Sequence, residues 1–207
     1  NSGIGSKGQG GYFAGIIDTT STGGLRYALI VSPKDLGQHT ALQWKTTKTS
    51  TSGTDSMWDG LTNTNNMNDS YNAAAEWVSS LSINGYDDWY LPAVDELSLL
   101  YYNFKPGTEP NSTYKSATLS PYGPLDKASG YNPSSDPTLD EYTASSPLRT
   151  TNSTMLSIEN LNLYMYWSST SYDADSSFGH NLHNGIQYGG YGKTDENYVR
   201  AVRRFVL

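Results

Sequence analysis

Cysteine is absent from this chain of 207 residues, and only 16% of its residues are charged. Without cysteine it forms no disulfide, no cysteine-ligated zinc site and no thiol nucleophile, so a fold of this length relies on its hydrophobic core. No apolar run reaches the roughly 18 residues of a membrane span, and no signal peptide is recognisable. We therefore expect no membrane insertion.

Positive charge is also scarce, with 13 Lys and Arg against 20 Asp and Glu and a net charge of −7. Nucleic acids and anionic membranes favour a basic face on a protein partner. Basic residues cluster in this sequence only at Arg200, Arg203 and Arg204. We therefore expect no nucleic-acid partner.

Small polar and aromatic residues are abundant, including 17 Tyr, 20 Gly and 5 Trp. This composition favours β structure with long loops, and the Trp residues argue against disorder. Residues 26–31 are apolar nearly throughout, which predicts a central strand buried on both faces. Further strands are predicted at residues 12–17, 42–44 and 163–168, within 182–188, and at 198–206, the last as a central neighbour of 26–31.

Two helices are predicted from apolar residues that recur at helical spacing. The first covers residues 71–81, with Asp69 or Ser70 as its N-cap, and ends at Asn84-Gly85. The second covers residues 93–103 and follows a proline, which suits the start of a helix.

One domain accounts for nearly the whole chain. Residues 1–11 are Gly-rich and predicted to be a flexible lead-in, and residues 12–207 form a single domain with a long loop insertion at about 105–161. Residues 46–68 are predicted to be a polar loop.

Three ordered motifs carry a family resemblance: Gly85-Tyr86-Asp87-Asp88-Trp89-Tyr90-Leu91-Pro92 followed by Asp95-Glu96-Leu97, then Tyr166-Trp167-Ser168-Ser169-Thr170, and finally Tyr198-Val199-Arg200-Ala201-Val202-Arg203. They resemble the signature motifs of the Lcl C-terminal-like family, some of whose members are found in phage structural proteins. The resemblance implies an α+β, C-type-lectin fold with a small twisted, mostly antiparallel sheet, two helices and long irregular loops.

Core residues can be predicted from the motifs themselves. Trp89 and Trp167 lie in apolar, strand-like segments, so we expect both indoles to pack in the core. Arg203 interrupts an apolar face of the last predicted strand. We expect it to pair with a carboxylate, either Glu96 or Asp95.

The segment of residues 172–192 lies between the second and third motifs and contains no Lys, Glu, Arg, Met or Trp. Tyr offers a large contact area at small entropy cost, and Ser, Asn and Gly offer adaptable hydrogen bonds, as in antibody paratopes. We expect exposed side chains here to contact a ligand, while Leu182 and Ile186 point inward. The predicted ligand-binding residues are Tyr172, Asp173, Asp175, Ser177, Phe178, His180, Asn181, His183, Asn184, Tyr188 and Tyr191.

The same fold is used by the variable proteins of diversity-generating retroelements, whose hypervariable residues lie between the second and third motifs. The resemblance therefore implies that a retroelement diversifies residues 172–192. Mutagenesis of adenines in Asn codons yields this set of residue types. The alternative is an ordinary Gly-rich hairpin whose composition follows the rest of the chain, and the residues alone leave it open.

Metal sites and cofactors are not expected. His180 and His183, with Asp173 and Asp175 nearby, lack a third ligand at a diagnostic spacing, so we predict solvated polar residues. Calcium-dependent lectins combine Glu-Pro-Asn or Gln-Pro-Asp with Trp-Asn-Asp. Residues 109–111 spell the first triplet, but Trp-Asn-Asp is absent.

Catalytic motifs such as G-x-S-x-G, the P-loop and H-E-x-x-H are missing, and the related formylglycine-generating enzymes need cysteines. We therefore predict a non-catalytic protein that binds a protein or glycan receptor on a target cell, displayed on a virion or at an extracellular or cell surface. Homo-oligomers, or attachment to a larger particle through the N-terminus, are compatible with this function. The alternative is a structural module of a phage particle that uses the lectin fold for assembly.

Overall fold

The computed structural model describes residues 4–18, 25–104 and 161–207. Within these residues the architecture is mixed α+β, with nine strands and four helices. The strands are β1 (Lys7–Gly8), β2 (Gly11–Asp18), β3 (Arg26–Val31), β4 (Gln38–Gln43), β5 (Met165–Ser171), β6 (Ser176–Asn181), β7 (Gln187–Gly192), β8 (Glu196–Arg200) and β9 (Val202–Val206). The helices are α1 (Lys34–Gly37), α2 (Gly60–Asn66), α3 (Ala73–Ser79) and α4 (Val94–Phe104).

The first sheet is antiparallel and has the strand order β1-β2-β3-β9. Strand β3 lies between β2 and β9, and all of its residues except Arg26 are buried. The predicted central strand at residues 26–31 is therefore confirmed. Burial on both faces explains why its apolar residues follow one another instead of alternating with polar ones.

The second sheet has the order β4-β8-β5-β6-β7 and is antiparallel except where β5 meets β8. The sequence predicted one sheet and one strand at residues 198–206, and both predictions are wrong. The predicted pairing of that segment with residues 26–31 is confirmed for its second part, because β9 pairs with β3. Ala201 interrupts that strand: its N–H donates to the Gly37 carbonyl and its own carbonyl accepts from the Ser32 N–H. The chain thus passes from β8 in the second sheet to β9, which is the last strand in the order of the first.

Helix α4 contacts strands of both sheets, namely β2 of the first and β5 and β6 of the second. It confirms the helix predicted at residues 93–103, shifted by one residue. Leu97, Leu100 and Phe104 belong to a buried cluster that also contains Tyr27 of β3 and Val202 of β9. The main core therefore lies around this helix.

Helix α3 is shorter than the first predicted helix, and its N-cap is Asn72, not Asp69 or Ser70. Asp69 Oδ1 instead accepts from the Asn72 side-chain amide at 2.7 Å. Asn84-Gly85, predicted to end the helix, lies beyond it, where both residues have positive φ in a tight turn. Asp69 therefore binds side chains of a turn before the helix, and the helix begins only at Ala73.

Helix α2 lies within residues 46–68, which the sequence predicted to be a polar loop, so that prediction is wrong. Leu61 is the one large apolar side chain among its seven residues, and no apolar stripe marks the helix in the sequence. Its start is fixed by Asp59, whose Oδ1 accepts from the Thr62 N–H at 3.0 Å. The Asp59 cap and packing against the rest of the fold, not an apolar pattern, determine that this segment is helical.

The structure describes most of the predicted lead-in but almost none of the predicted insertion. Within the predicted lead-in, Lys7–Gly8 pair with β2 as β1, and Ile4 packs against the core around α4. The predicted insertion at residues 105–161 lies outside the described residues, apart from Leu161, which is buried.

Candidate ligand-binding site

Residues 172–192 form two antiparallel strands, β6 and β7, together with the turns that precede and join them. Strand β6 lies between β5 and β7, and β7 is the last strand in the order of the second sheet. The strand predicted within residues 182–188 is β7, which begins only at Gln187. Strand β6 was not predicted, because its Ser, Gly and His residues carry no strand signal.

The predicted ligand-binding side chains fall into three groups by exposure. The exposed residues are Tyr172, Asp173, Asp175 and Tyr188, of which Tyr172 and Tyr188 are 55% and 38% accessible. The half-buried residues are Asn181, His183, Asn184 and Tyr191. Ser177, Phe178 and His180 are buried, so the prediction that their side chains are exposed is wrong.

Helix α4 explains the burial of Phe178 and His180, because it packs against β6. Phe178 packs with Val94, and the His180 ring lies 5.2 Å from the Tyr101 ring, measured between centroids. The Gln187 side chain from β7 donates to a Ser98 hydroxyl on the same helix. One side of the hairpin therefore belongs to the core.

The exposed tyrosines rest on glycine backbone and on buried aromatic rings. A Cβ at Gly189 would lie 2.5 Å from the Tyr172 ring, so that ring lies directly over β7. Tyr191 forms T-shaped pairs with Tyr188 and Trp167, at centroid distances of 5.1 and 6.3 Å. The sheet thus supports the exposed rings from below.

The turn between β5 and β6 is held by Asp173. Its Oδ1 accepts from the Ser176 hydroxyl at 2.6 Å and from the Ser176 and Asp175 N–H groups at 2.8 and 2.9 Å. These bonds, the hydroxyl first, lower the pKa of Asp173 below its ordinary value. Lys193 Nζ donates to the Asp173 carbonyl at 2.8 Å and to the Thr49 carbonyl at 3.2 Å. Both exposed carboxylates, Asp173 and Asp175, therefore sit on a well-bonded turn.

Two asparagine side chains accept backbone hydrogen bonds within the turn between β6 and β7. The His183 N–H donates to Asn181 Oδ1 at 2.9 Å, and the Ile186 N–H donates to Asn184 Oδ1 at 3.3 Å. Leu182 is buried, as predicted, while Ile186 is half-buried. Asn181 and Asn184 thus shape this turn.

The three sequence motifs meet in the structure. The Tyr90 N–H donates to the Val202 carbonyl at 2.8 Å, which joins the first motif to the third. The Ser169 N–H donates to the Pro92 carbonyl at 2.8 Å, which joins the second motif to the first. Segments far apart in the sequence therefore form one folded unit.

A family model described as the Lcl C-terminal domain matches residues 36–203, which is most of the chain. The chain belongs to the Lcl C-terminal domain family. No curated protein matches it. In the part of this Lcl C-terminal domain that the structure describes, no helix is long and apolar enough to cross a membrane.

Arg203 of this Lcl C-terminal domain pairs with Asp88, so the predicted partners Glu96 and Asp95 are wrong. Arg203 Nε and Nη2 donate to Asp88 Oδ1 and Oδ2 at 2.6 and 2.8 Å, and its guanidinium lies 4.0 Å from the centre of the Tyr86 ring. The bridge between the first and third motifs brings Asp88 beside Arg203. This two-point ion pair adds a further tie between them.

Glu96 instead forms a buried polar cluster that the sequence did not reveal. Its Oε1 accepts from the Tyr27 and Tyr90 hydroxyls, each at 2.7 Å, and its Oε2 accepts from the Ala93 N–H at 2.8 Å. Burial raises the pKa of Glu96 to about 7. A glutamate at the third position of a helix is typical of the bond to the Ala93 N–H. Tyr90 lies only six residues before Glu96, whereas Tyr27 comes from β3, far away in the sequence.

His180 and His183 are not part of a set of metal ligands among the residues that the structure describes. Among the described residues, no group of three or more His, Asp or Glu side chains is arranged to hold a metal ion. His180 is only 1% exposed and lies beside Tyr101, so the prediction that it is solvated is wrong, whereas Asp173 and Asp175 are exposed. The Glu-Pro-Asn triplet at residues 109–111 falls outside the described residues.

Proposed function

We propose that this domain is a non-catalytic ligand-binding module of the C-type-lectin fold. Its recognition surface, the exposed hairpin face, consists of Tyr172, Asp173, Asp175, Tyr188 and the half-buried Tyr191. It binds a protein or glycan receptor on a target cell and is displayed on a virion or cell surface. It uses no cofactor.

One observation supports this proposal: the exposed hairpin face belongs to a hairpin whose opposite side is packed into the core. Phe178 and His180 pack against α4, and Trp167 lies beneath Tyr191. Rigid support lowers the entropy lost when a surface binds its partner, because the contact groups are already in place. The exposed tyrosines can therefore serve as aromatic anchors of the kind that dominate interface energies.

Diversification by a retroelement is part of the proposal. Residues 172–192 contain none of Lys, Glu, Arg, Met and Trp, although all five occur elsewhere in the chain. The structure limits where variation is tolerated, since Ser177, Phe178 and His180 are buried. We expect variation between copies of the gene to concentrate at the exposed hairpin face. A reverse-transcriptase gene with a near-identical template repeat beside this gene would support this, and invariant exposed positions would contradict it.

The binding test uses a triple variant, Tyr172→Ser with Asp175→Ala and Tyr188→Ser, in an adsorption assay on the natural target cells. A matched control changes three exposed residues of other elements, Asp35→Ala, Leu36→Ser and Val206→Ser. We expect both variants to melt within a few degrees of the wild type, since surface changes usually stay within about 0.5 kcal/mol each. Only the hairpin variant should lose binding.

The other outcomes separate the alternatives. A folded hairpin variant that still adsorbs would place recognition elsewhere. If the hairpin variant unfolds, residues 172–192 serve the fold and not recognition. If the wild-type domain does not adsorb but particles carrying the variant fail to assemble, the domain is a structural module of the particle.

A further inference from the structure

The loop of residues 46–53, between β4 and α2, is attached at both of its ends to residues that flank the β6–β7 hairpin. At one end the Lys45 N–H donates to the Lys193 carbonyl at 3.0 Å, and at the other the Ser171 N–H donates to the Thr54 carbonyl at 2.7 Å. Ser171 is the last residue of β5, and Lys193 directly follows β7. The loop therefore lies beside the exposed hairpin face.

A buried ammonium group joins this loop to the hairpin turn directly. Lys193 Nζ donates to the Asp173 carbonyl at 2.8 Å and to the Thr49 carbonyl at 3.2 Å, so one nitrogen bonds to both segments. It also lies 4.7 Å from the centre of the Trp44 ring, a cation–π distance. Because a buried charge is costly unless it is bonded, these contacts keep the loop and the turn together.

A second buried lysine fixes the conformation of the same loop. Lys45 Nζ donates to the Ser50 carbonyl at 3.2 Å and to the Thr51 hydroxyl at 2.9 Å, and it lies 3.5 Å from Asp69 Oδ2. A loop held in this way loses little conformational entropy when it meets a partner. Its exposed side chains include Lys48, Ser50 and Ser52.

Negative charge predominates where the loop and the hairpin meet. Asp173, Asp175 and Asp195 are exposed, and the Lys193 N–H donates to the Asp175 carbonyl at 2.8 Å, which places these carboxylates on adjoining turns. Lys48 is the one charged residue of the loop. The carboxylates repel anionic polysaccharides, and a neutral sugar would leave them without a counter-charge. Lys or Arg side chains of a protein can pair with them.

We propose, on the basis of the function proposed above, that residues 46–53 and the exposed hairpin face form one composite recognition surface whose partner is a protein with a basic patch. The exposed tyrosines of the hairpin supply aromatic anchors, the loop supplies adjacent polar contacts, and the carboxylates attract the basic partner. Lys193 is the residue that holds the two halves of this surface in register.

The first test places a bulky label on the loop after the chain has folded. The chain contains no cysteine, so Ser50→Cys provides a single site for fluorescein maleimide, and the exposed Ser82→Cys beyond α3 provides a matched control. Adsorption to the natural target cells is measured with and without the label. Labelled Ser50→Cys should adsorb at least about tenfold less than the wild type, because added bulk inside an interface prevents close packing. Unlabelled Ser50→Cys and labelled Ser82→Cys should adsorb normally.

The second test addresses the class of partner. Trypsin treatment of the cells should abolish adsorption, and periodate treatment, which destroys glycans, should leave it intact. Asp195→Asn should slow adsorption about twofold at low salt and make it less dependent on salt, whereas Asp35→Asn on α1 should have no effect.

Several outcomes would overturn the proposal. If labelled Ser50→Cys adsorbs normally while the hairpin variant does not, the loop lies outside the contact and only the function proposed above stands. Equal loss in both labelled proteins would show that the contact is not confined to this surface. Adsorption that resists trypsin but is lost after periodate would make the partner a glycan. A wild-type chain that does not adsorb would overturn both proposals. If Ser50→Cys does not fold, the exposed Ser52→Cys replaces it in the same assay.

Discussion

Tyrosine has opposite roles in two regions of this domain. Around Glu96, Tyr27 and Tyr90 are buried and donate their hydroxyls to one carboxylate oxygen. On the β6–β7 hairpin, Tyr172 and Tyr188 are exposed and pack beside the backbone of two glycines. The residue type is the same, but one pair stabilises the core and the other faces solvent.

The difference shows what decides the role of a tyrosine. A buried hydroxyl without a partner costs about 1–3 kcal/mol, so a core tyrosine needs a fixed acceptor, which Glu96 provides. An exposed tyrosine bonds to water and keeps its ring available for a ligand. The following experiments test this contrast, beginning with the largest expected effect.

Removing a buried indole should damage both regions. Trp167 is fully buried, its indole N–H donates to the Leu42 carbonyl at 2.7 Å, and Tyr191 packs on its ring. We expect Trp167→Ala, and likewise Trp89→Ala, to lower the free energy of unfolding by about 3–5 kcal/mol in denaturant titrations. Losses under about 1 kcal/mol at both positions would mean that these indoles do not form the core.

Replacing Glu96 should have a smaller effect that depends on pH. Glutamine offers one acceptor oxygen where the Tyr27, Tyr90 and Ala93 donors use two, so Glu96→Gln should cost about 2 kcal/mol. The pKa of Glu96 is raised to about 7 from 4.5, so the folded state holds a proton that the unfolded state releases. That stabilisation is complete below about pH 4.5 and is lost as the pH rises through about 7.

Thermal melts between pH 4.5 and 8 measure this dependence. The wild type should lose melting temperature across that interval relative to Glu96→Gln, because glutamine does not titrate. Subtracting the two curves removes the contribution of other carboxylates, including Asp173. A difference that stays constant with pH would show that Glu96 is ionised throughout.

Deleting single hydroxyl groups compares the two regions directly. Tyr90→Phe removes a buried donor to Glu96 and should cost about 1.5 kcal/mol, as for a bond to a carboxylate. Tyr172→Phe alters an exposed hydroxyl and should stay within about 0.5 kcal/mol. Denaturant midpoints of the two variants provide the measurement. Equal losses would remove the distinction between core and surface tyrosines.

Several features could be predicted because local sequence carries them. The continuous apolar run of β3, the helical spacing of α4 and the burial of Trp89 and Trp167 all follow from patterns within a few residues. Helix α2 shows the limit of such patterns, because a seven-residue helix with one large apolar side chain leaves no periodic signal.

The candidate site could be located from composition but not resolved into exposed and buried residues. Tyr172 and Phe178 belong to the same polar and aromatic segment, yet only Tyr172 is exposed. The deciding factor is α4, which covers one side of β6 and whose position is not encoded near residue 178. Arg203 is a similar case, because its partner Asp88 is set by the pairing of Tyr90 with Val202.

The sequence by itself therefore determined the family, the core strand β3, the helix α4 and the segment that carries the candidate surface. Tertiary structure alone decided which side chains of that segment face solvent, which carboxylate meets Arg203 and where the strand after Tyr198 divides at Ala201. The physical reason is that the spacing of apolar residues follows from local backbone geometry. Burial and pairing depend instead on which distant elements pack against a residue, and only the folded chain brings those elements together.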